Sequence, residues 1–172
     1  AKDENDPLSE EIRECNSFSP DIAVDIHNNA GGGDGAEAFY HYGGGKSKTF
    51  AENILAEIVK VGQNSRGAKI RKNANGKDYY GFIRETSCPA VIVECAFVDN
   101  ASDIEILATE SKRHLMGVAI AKGILKSVGV AYQSESGILY RVQVGAYSQK
   151  ANAEAMLNKI KAAGFDAFIV KA

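Results

Sequence analysis

DIAVDIHNNAGGGDG, residues 21–35, is the stretch of sequence that decides the fold. Its apolar-leaning first part predicts a strand over Ile22–Ile26, and this strand ends at His27, directly before two asparagines and a glycine cluster. In open α/β sheets, ligands bind outside the carboxyl ends of the strands. The stretch therefore predicts a strand that delivers a histidine to the ligand-binding edge of a sheet.

PAVIVECAFVDN, residues 89–100, has the same arrangement. Its near-continuous apolar run predicts a buried central strand over Ala90–Phe97, and a turn follows at residues 99–100. The run is interrupted by Glu94, whose carboxylate is costly to bury unless it is paired or ionised toward a cleft. Two interpretations of Glu94 therefore stay open, a structural ion pair and an acid–base group next to a bound water.

The other residues up to about 130 alternate between helical and strand periodicity, which is typical of an α/β fold with a mostly parallel central sheet flanked by helices. Cap residues and glycines mark most of the ends. The predicted elements are a helix that begins at Asp6-Pro7, a strand over 36–42, a helix over about 47–61, a surface loop over 63–77, a short strand over 79–84, a helix from Asn100 to about Leu107 and a helix over about 112–128.

The pattern changes near the C-terminus. Residues 131–137 are polar and predict a linker, and residues 138–172 predict a small β-α-β unit. In this unit a strand over 140–144 precedes a helix capped by Ser148, and a second strand covers Phe165–Val170. A unit of about 35 residues is too small for a stable core of its own. We therefore expect it to pair with a second copy, another chain or the main domain, which favours self-association.

Composition limits the classes of function. With 45% hydrophobic residues, 24% charged residues and a formal net charge of −2, the 172-residue chain is typical of a globular protein. This balance excludes a basic field that would recruit nucleic acid or an acidic membrane, and no apolar run reaches transmembrane length. The first residues lack the pattern of a signal peptide. Cys15, Cys88 and Cys95 lack metal-type spacing and are expected to be reduced core thiols.

The segments around His27 and Glu94 together resemble a known family. DIAVDIHNNAGGGDGAEAFYHYG resembles the histidine-asparagine-alanine segment of zinc-dependent N-acetylmuramoyl-L-alanine amidases of the amidase-3 type. YYGFIRETSCPAVIVECAFVDNASD is similar to their later segment, in which a proline-alanine-valine run precedes the catalytic glutamate. The resemblance extends in order and spacing over about Asp6–Val128, and it implies an amidase catalytic domain over residues 1–130.

From this resemblance we expect Zn²⁺ as the cofactor and hydrolysis of the amide bond between N-acetylmuramic acid and L-alanine in peptidoglycan. It implies His27 as a zinc ligand and Glu94 as the catalytic base, which takes a proton from the zinc-activated water and passes it to the departing amine. It also implies Asn29 as a residue that shapes the substrate site. Arg84 and the loop over 63–77 are expected to contact the acidic stem peptide, with a solvated basic surface as the alternative.

The sequence departs from the family pattern at its start. A catalytic zinc takes about three protein ligands, and in this family the first histidine and a glutamate lie upstream of residue 1, so part of the catalytic domain is expected to be missing. Asp25 stands where a serine is common, and is expected either to support the site electrostatically or to face a charged partner. His41 is expected to lie at the surface or behind the residues that contact the ligand, and His114 is expected to be solvated on a helix. The chain is therefore predicted to carry part of a metal site.

The C-terminal segment LYRVQVGAYSQKANAEAMLNKIKAAGFDAFIV resembles the sporulation-related (SPOR) repeat, a module that binds the glycan strands of peptidoglycan. Such modules usually contain two β-α-β repeats, and one is recognisable here. Together the resemblances imply a peptidoglycan hydrolase that acts at the bacterial cell wall, reached through lysis, a holin or an N-terminal segment absent from this sequence. The alternatives are a non-catalytic peptidoglycan-binding fragment and a structural α/β domain, in which Glu94 would be a core ion pair.

Overall fold

The computed structural model describes residues 8–133, 143–165 and 167–171. The chain divides into two units, residues 1–132 and 133–172. In the described part of the chain, no helix has both the length and the apolar character needed to span a bilayer. In chain order, the helices are α1 (Leu8–Ser17), α2 (Lys46–Lys60), α3 (Gly81–Glu85), α4 (Ala101–Leu107), α5 (Glu110–Ser127) and α6 (Lys150–Ala162), and the strands are β1 (Ala23–Asn29), β2 (Ala36–Tyr40), β3 (Ser65–Lys69) and β4 (Ala90–Phe97).

The first unit is built on a sheet whose described strands follow the order β1-β4-β2-β3. β1 pairs with β4 and β2 pairs with β3 in parallel, whereas β2 and β4 are antiparallel. Every residue of β4 except Glu94 is buried, as expected for a continuous apolar strand with neighbours on both sides. A mostly parallel sheet flanked by helices confirms the predicted α/β fold class.

One face of the sheet is covered by α2 and α5. Their buried side chains recur every three or four residues, which is the periodicity of a helix with one apolar face. The main apolar cluster on this face contains Phe50, Ala51, Ile54, Leu55, Ile58, Met116, Ala119 and Ile120 from the helices, and Ala36, Ala38, Val91, Val93 and Cys95 from the strands.

The opposite face is covered by α1 and α3. A second apolar cluster lies there, toward the amino ends of β1 and β4, and so leaves the carboxyl ends of these two strands for polar residues on the same face. This cluster contains Ile12, Ala23, Phe39, Phe82, Ile83, Ala90 and Ile92.

Two elements of the first unit differ from the prediction, and each is shaped by its packing partners. The surface loop predicted over 63–77 contains β3, because this polar segment gains backbone hydrogen bonds by pairing with β2. The strand predicted over 79–84 is wrong, since α3 forms there. Phe82 and Ile83 are buried in the same apolar cluster, which a strand would prevent because its successive side chains point to opposite faces.

In the second unit, α6 confirms the predicted helix, although its N-cap is Gln149 rather than the preceding serine. The strand predicted over Phe165–Val170 is wrong for the described residues of that range, which form no strand. In the strand predicted over 140–144, the described residues 143–144 form no strand, and residues 140–142 lie outside the described residues. Residues 134–137 of the predicted linker also lie outside them. A single β-α-β repeat offers two strands, and a two-stranded sheet is marginally stable in water.

Gly123 allows α5 to approach α2 closely. A Cβ atom at this position would lie 2.4 Å from the Cα atom of Ile54. We therefore expect Gly123→Ala to push the helices apart and to lower the free energy of unfolding by about 1–3 kcal/mol, measured by urea denaturation. Gly117→Ala on the same helix is the matched control, because nothing lies within 4 Å of its Cβ position.

The control should gain about 0.5–1 kcal/mol, since alanine is the better helix former in an exposed position. Equal stability of the two variants would contradict the close contact between α2 and α5.

Candidate functional site

Three polar side chains form a row across neighbouring strands of the first unit. His27 on β1 and Glu37 on β2 are both register partners of Glu94 on β4. Register partners on adjacent strands project from the same face of a sheet. His27, Glu94 and Glu37 are therefore neighbours on the face covered by α1 and α3, and we call them the polar row.

Glu94 is the central member of the polar row. Its Oε2 atom is buried and has no hydrogen-bond partner among the described residues. Burial raises the pKa of the Glu94 carboxyl; the nearby His27 lowers it, whereas the charges of Glu37 and Asp25 raise it, and the net shift is upward. A carboxylate with a raised pKa binds a proton more readily than an ordinary glutamate, which suits a general base.

Glu37 has the opposite electrostatic environment. Its side chain accepts hydrogen bonds from Lys69 Nζ and, at 2.8 Å, from Arg66 Nε. Burial raises the pKa of Glu37, but the hydrogen bonds and charges of Lys69 and Arg66 outweigh this effect and hold the pKa below its ordinary value. The polar row thus contains two carboxylates whose pKa values are pushed apart, which is a recurrent arrangement in acid–base sites.

His27 is held by the residue two positions before it. Its Nε2 atom lies 2.8 Å from Asp25 Oδ2, and roughly half of its side chain, 54%, is exposed. Asp25 and His27 share one face of β1 because side chains alternate along a strand. Asp25 therefore orients the imidazole, and the Nδ1 atom of His27 is the nitrogen that this contact does not engage.

The polar row does not complete a zinc site. No group of three histidine, cysteine, aspartate or glutamate side chains in the described ranges is arranged to hold a metal ion. A catalytic zinc takes three protein ligands and a water, and of the predicted ligands the described residues contain His27. The donors present in the described part of the chain therefore do not fit a complete zinc centre.

The glycine-rich loop after β1 is held by the turn after β4. Asp99 Oδ2 accepts hydrogen bonds of 2.8 Å from the backbone N–H groups of both Gly31 and Gly32, and these bonds lower the pKa of the Asp99 carboxyl. The Asn100 side chain donates to the carbonyl oxygen of Gly33. The turns that follow His27 and Glu94 are thereby joined next to the polar row.

Asp103 strengthens the same connection from inside the protein. Its side chain is 1% exposed and accepts hydrogen bonds from the N–H groups of Gly35, at 2.9 Å, and Phe97, at 2.7 Å. Asn100 is the N-cap of α4, as predicted, because its side chain accepts from the N–H groups of Ser102 and Asp103. Asp103 was not singled out in the sequence, where an aspartate in the first turn of a helix is ordinary.

Asn29, which is predicted to shape the substrate site, lies beside the polar row. Its Nδ2 atom donates to Glu37 Oε1 at 2.8 Å, and its Oδ1 atom accepts from the N–H of Ala30. The Asn29 side chain thus positions Glu37, and its predicted contact with substrate stays a prediction.

Arg84 is not brought to the polar row. It lines a groove of about 360 Å³ that includes Ala90, and along a strand Ala90 is about 13 Å from Glu94. Its Nη1 atom donates to the carbonyl oxygens of Asp78, at 2.8 Å, and Tyr79, at 3.1 Å. The structure therefore gives Arg84 a role in holding a loop, and its predicted contact with the stem peptide stays a prediction.

The two other histidines lie apart from the row. His41 Nε2 is 3.2 Å from the buried Oδ2 of Asp78, and its Nδ1 accepts from the N–H of Gly43. The Nδ1 atom of His41 is thus hydrogen-bonded within the fold, whereas its Nε2 atom has, among the described residues, only the ion-pair contact with Asp78. His114 is exposed on α5. The exposed position of His114 agrees with the expectation that it is solvated.

Glu37 belongs to the polar row but is not among the site residues predicted from the sequence. The signal that singled out Glu94, a carboxylate inside a strand, was also available for Glu37. Its neighbours Ala36 and Ala38 are fully buried. What the sequence does not show is the antiparallel register that sets Glu37 opposite Glu94.

Comparison with sequence families gives two matches. The family described as N-acetylmuramoyl-L-alanine amidase (Amidase_3) matches residues 1–126, and the SPOR domain matches residues 115–171. The two matches overlap within α5, and the domain boundary predicted over 131–137 stays a prediction.

Curated relatives carry the same description. The chain is 32% identical over 170 residues to N-acetylmuramoyl-L-alanine amidase CwlM of Bacillus licheniformis, covering 98% of this chain and 64% of the relative. It is 32% identical over 165 residues to the sporulation-specific N-acetylmuramoyl-L-alanine amidase of Bacillus subtilis (strain 168), covering 95% of this chain and 62% of the relative. The chain thus spans less than two thirds of the length of these two relatives.

Solved structures support the same assignment. Cwp6 from Clostridium difficile is 39% identical with a TM-score of 0.71, over 74% of this chain and 21% of that one. The catalytic domain of CwlV, an N-acetylmuramoyl-L-alanine amidase from Bacillus (Paenibacillus) polymyxa var. colistinus, is 26% identical with a TM-score of 0.62, over 73% of this chain and 67% of that one. Since the amidase match covers well over half of the sequence, the chain belongs to the N-acetylmuramoyl-L-alanine amidase family.

Proposed function

We propose that this chain takes part in hydrolysing the amide bond between N-acetylmuramic acid and L-alanine in peptidoglycan. The observation that carries the proposal is the polar row, in which Glu94 lies beside His27 and Glu37. The Oε2 atom of Glu94 is buried and has no hydrogen-bond partner among the described residues. Amide hydrolysis needs a base that takes a proton from water and an acid that gives a proton to the departing amine. Glu94 serves both steps at the same carboxylate.

The other members of the site prepare Glu94 for this role. Glu37 is kept ionised by Lys69 and Arg66, and its charge favours the protonated form of Glu94. Once Glu94 has taken a proton, the same charge helps it to keep the proton until the amine departs. Asn29 fixes the orientation of Glu37. The arrangement thus supports a proton transfer that is centred on one side chain.

Zinc dependence is a proposal that rests on the family and on His27. His27 lies on the same face as Glu94 and is the imidazole that we propose as a zinc ligand. The described residues do not supply the other ligands, so a complete zinc centre requires donors beyond them.

We expect Zn²⁺ to bind this chain weakly. Calorimetric titration should give an apparent Kd above about 1 µM, which corresponds to a binding free energy of less than about 8 kcal/mol. Complete structural zinc sites bind the ion with roughly 10–16 kcal/mol. His27→Ala should weaken this binding further, whereas His114→Ala, the exposed control on α5, should leave it unchanged. Tight binding of one zinc per chain would contradict the interpretation of an incomplete site, and binding that His27→Ala leaves intact would exclude His27 as a ligand.

The proposed hydrolysis is tested by identifying the products released from purified cell-wall sacculi. An amidase frees the amino group of L-alanine, whereas cleavage of the glycan frees reducing ends. We expect new L-alanine amino groups without new reducing ends in the presence of Zn²⁺. New reducing ends alone would overturn the proposal.

A non-catalytic peptidoglycan-binding fragment is the second candidate, and it is favoured by the lack of a three-ligand group in the described residues. The SPOR match over residues 115–171 supports peptidoglycan as the partner and the cell wall as the place of action. Co-sedimentation with sacculi distinguishes the two candidates. Retained binding without any release of amino groups favours the fragment, whereas binding together with release favours the hydrolase. Self-association through the C-terminal unit stays a prediction.

A further inference from the structure

Two of the three cysteines lie next to each other in the fold. Cys15 is on α1, Cys88 comes shortly before β4, and both are half-buried free thiols. Both pack against the second apolar cluster, on the face covered by α1 and α3. Burial and the nearby Cys15 thiol raise the pKa of Cys88. Residues that are distant in sequence are thus brought together as a thiol pair.

Hydrogen bonds of the neighbouring residues hold this pair in place. The Asn16 side chain accepts from the N–H of Ser87 at 2.8 Å and from the Ser87 hydroxyl at 3.0 Å. It also donates to the carbonyl oxygen of Glu85 at 3.0 Å. Each cysteine is adjacent in sequence to a residue of this network, so the fold itself sets the approach of the two thiols.

We propose that Cys15 and Cys88 are a modification site at which a disulfide forms when the protein meets a small-molecule disulfide such as oxidised glutathione. One thiolate attacks the glutathione disulfide, forms a mixed disulfide and releases one glutathione thiol. The second thiolate then attacks the protein sulfur of the mixed disulfide and releases the second glutathione thiol. Both cysteines are oxidised, one glutathione disulfide is reduced, and the two thiol protons end on the two glutathione thiols.

Cys95 does not compete for this bridge. It is buried in the main apolar cluster, on the opposite face of the sheet from Cys88. Burial raises the pKa of the Cys95 thiol to about 11 and also raises that of Cys88, so it is the position of Cys95 on the other face that separates it from the pair. Cys95 therefore serves as an internal control.

The bridge would link the helix that covers one face of the sheet to the start of the strand that carries Glu94. A disulfide that closes a long loop restricts the unfolded chain more than the folded one. The oxidised protein should therefore be the more heat-stable form, provided that the native positions of α1 and β4 accommodate the bond.

The test uses the full chain with Cys95→Ala, so that two thiols remain, and the wild type in parallel. Each protein is treated with oxidised glutathione without denaturant, alkylated and weighed by mass spectrometry. We expect a species lighter than the reduced protein by about 2 Da, from the loss of two thiol hydrogens. A tryptic digest should link the peptide over residues 14–46 to the peptide over 85–112. In the wild type, one alkylated thiol should remain, at Cys95.

Cys15→Ser and Cys88→Ser, each in the Cys95→Ala background, are the controls and should each carry one glutathione instead of a bridge. The oxidised protein should melt about 5 °C above the reduced one. Glutathione on both cysteines, a bridge that forms only in denaturant, a bridge to Cys95 or a lower melting temperature on oxidation would overturn the proposal.

Discussion

Replacing Glu94 by glutamine should slow amide hydrolysis in peptidoglycan by about 10²–10⁴-fold, the range expected for the loss of a general base. Glutamine keeps the shape of the side chain but does not take a proton from water. The carboxylate is suited to this role because its Oε2 atom is buried without a partner in the described part of the chain. The measurement is the rate at which new L-alanine amino groups appear from sacculi.

The same substitution should stabilise the metal-free protein at neutral pH. Burial raises the pKa of Glu94 above its ordinary value of 4.5, and the opposing effect of His27 does not cancel this shift. The folded protein therefore holds this proton more tightly than the unfolded chain, and the stability of the wild type falls as the pH rises through the folded-state pKa. Glutamine carries no charge, so the stability gain of Glu94→Gln should be nearly absent at pH 4 and should grow as the pH rises toward 7.

Glu52→Gln is the matched control for both measurements. Glu52 lies on α2 with its side chain 56% exposed, 3.7 Å from Lys48 in a surface pair. Such a pair contributes little to stability, so this variant should keep the activity and the pH dependence of the wild type. A Glu94→Gln protein that hydrolyses peptidoglycan at the wild-type rate, or that is less stable than the wild type at pH 7, would contradict the role assigned to Glu94.

Replacing Asp103 by alanine should cause the largest loss of stability among the substitutions considered. The side chain is 1% exposed and accepts from the N–H groups of Gly35 and Phe97. Alanine leaves both donors without an acceptor, and a hydrogen bond to a charged group contributes about 1.5–3 kcal/mol. We therefore expect the free energy of unfolding to fall by about 3–5 kcal/mol, measured by urea denaturation. Asp103→Asn keeps one acceptor oxygen and should lose about half as much.

Asp99→Ala is the control, because Asp99 also accepts from two backbone N–H groups but does so in an exposed turn. Water replaces the lost acceptor there, and the loss of stability should be clearly smaller than for Asp103→Ala. Asp103→Ala should also speed hydrogen exchange at Gly35, in the loop that follows His27. Equal losses in the two variants would show that burial of Asp103 contributes nothing to this connection.

Much of the first unit could be predicted from local patterns. β4 follows from a continuous apolar run bounded by turn residues, and the strand before His27 follows from a shorter run of the same kind. Because β1 and β4 are parallel neighbours, the residues near their carboxyl ends meet at one edge of the sheet. This is why two residues far apart in sequence were expected to lie together, and why His27 and Glu94 do.

Other parts of the site depend on contacts that a single sequence does not reveal. Glu37 joins the polar row because β2 runs antiparallel to β4, and Asp103 is buried because two distant backbone N–H groups turn toward it. Arg84 donates to the backbone carbonyl oxygens of Asp78 and Tyr79, and its contact with substrate stays a prediction. For Glu37 and Asp103, a partner is supplied by a segment distant in the sequence.

The sequence by itself determined the elements with strong periodicity and the positions of His27 and Glu94 near the carboxyl ends of two strands, since apolar spacing and turn residues are local properties of the chain. The tertiary structure alone decided that residues 65–69 form a strand, that residues 81–85 form a helix, and that Glu37 lies next to Glu94. These features are stabilised by pairing and burial against distant segments, and such contacts override weak local preferences.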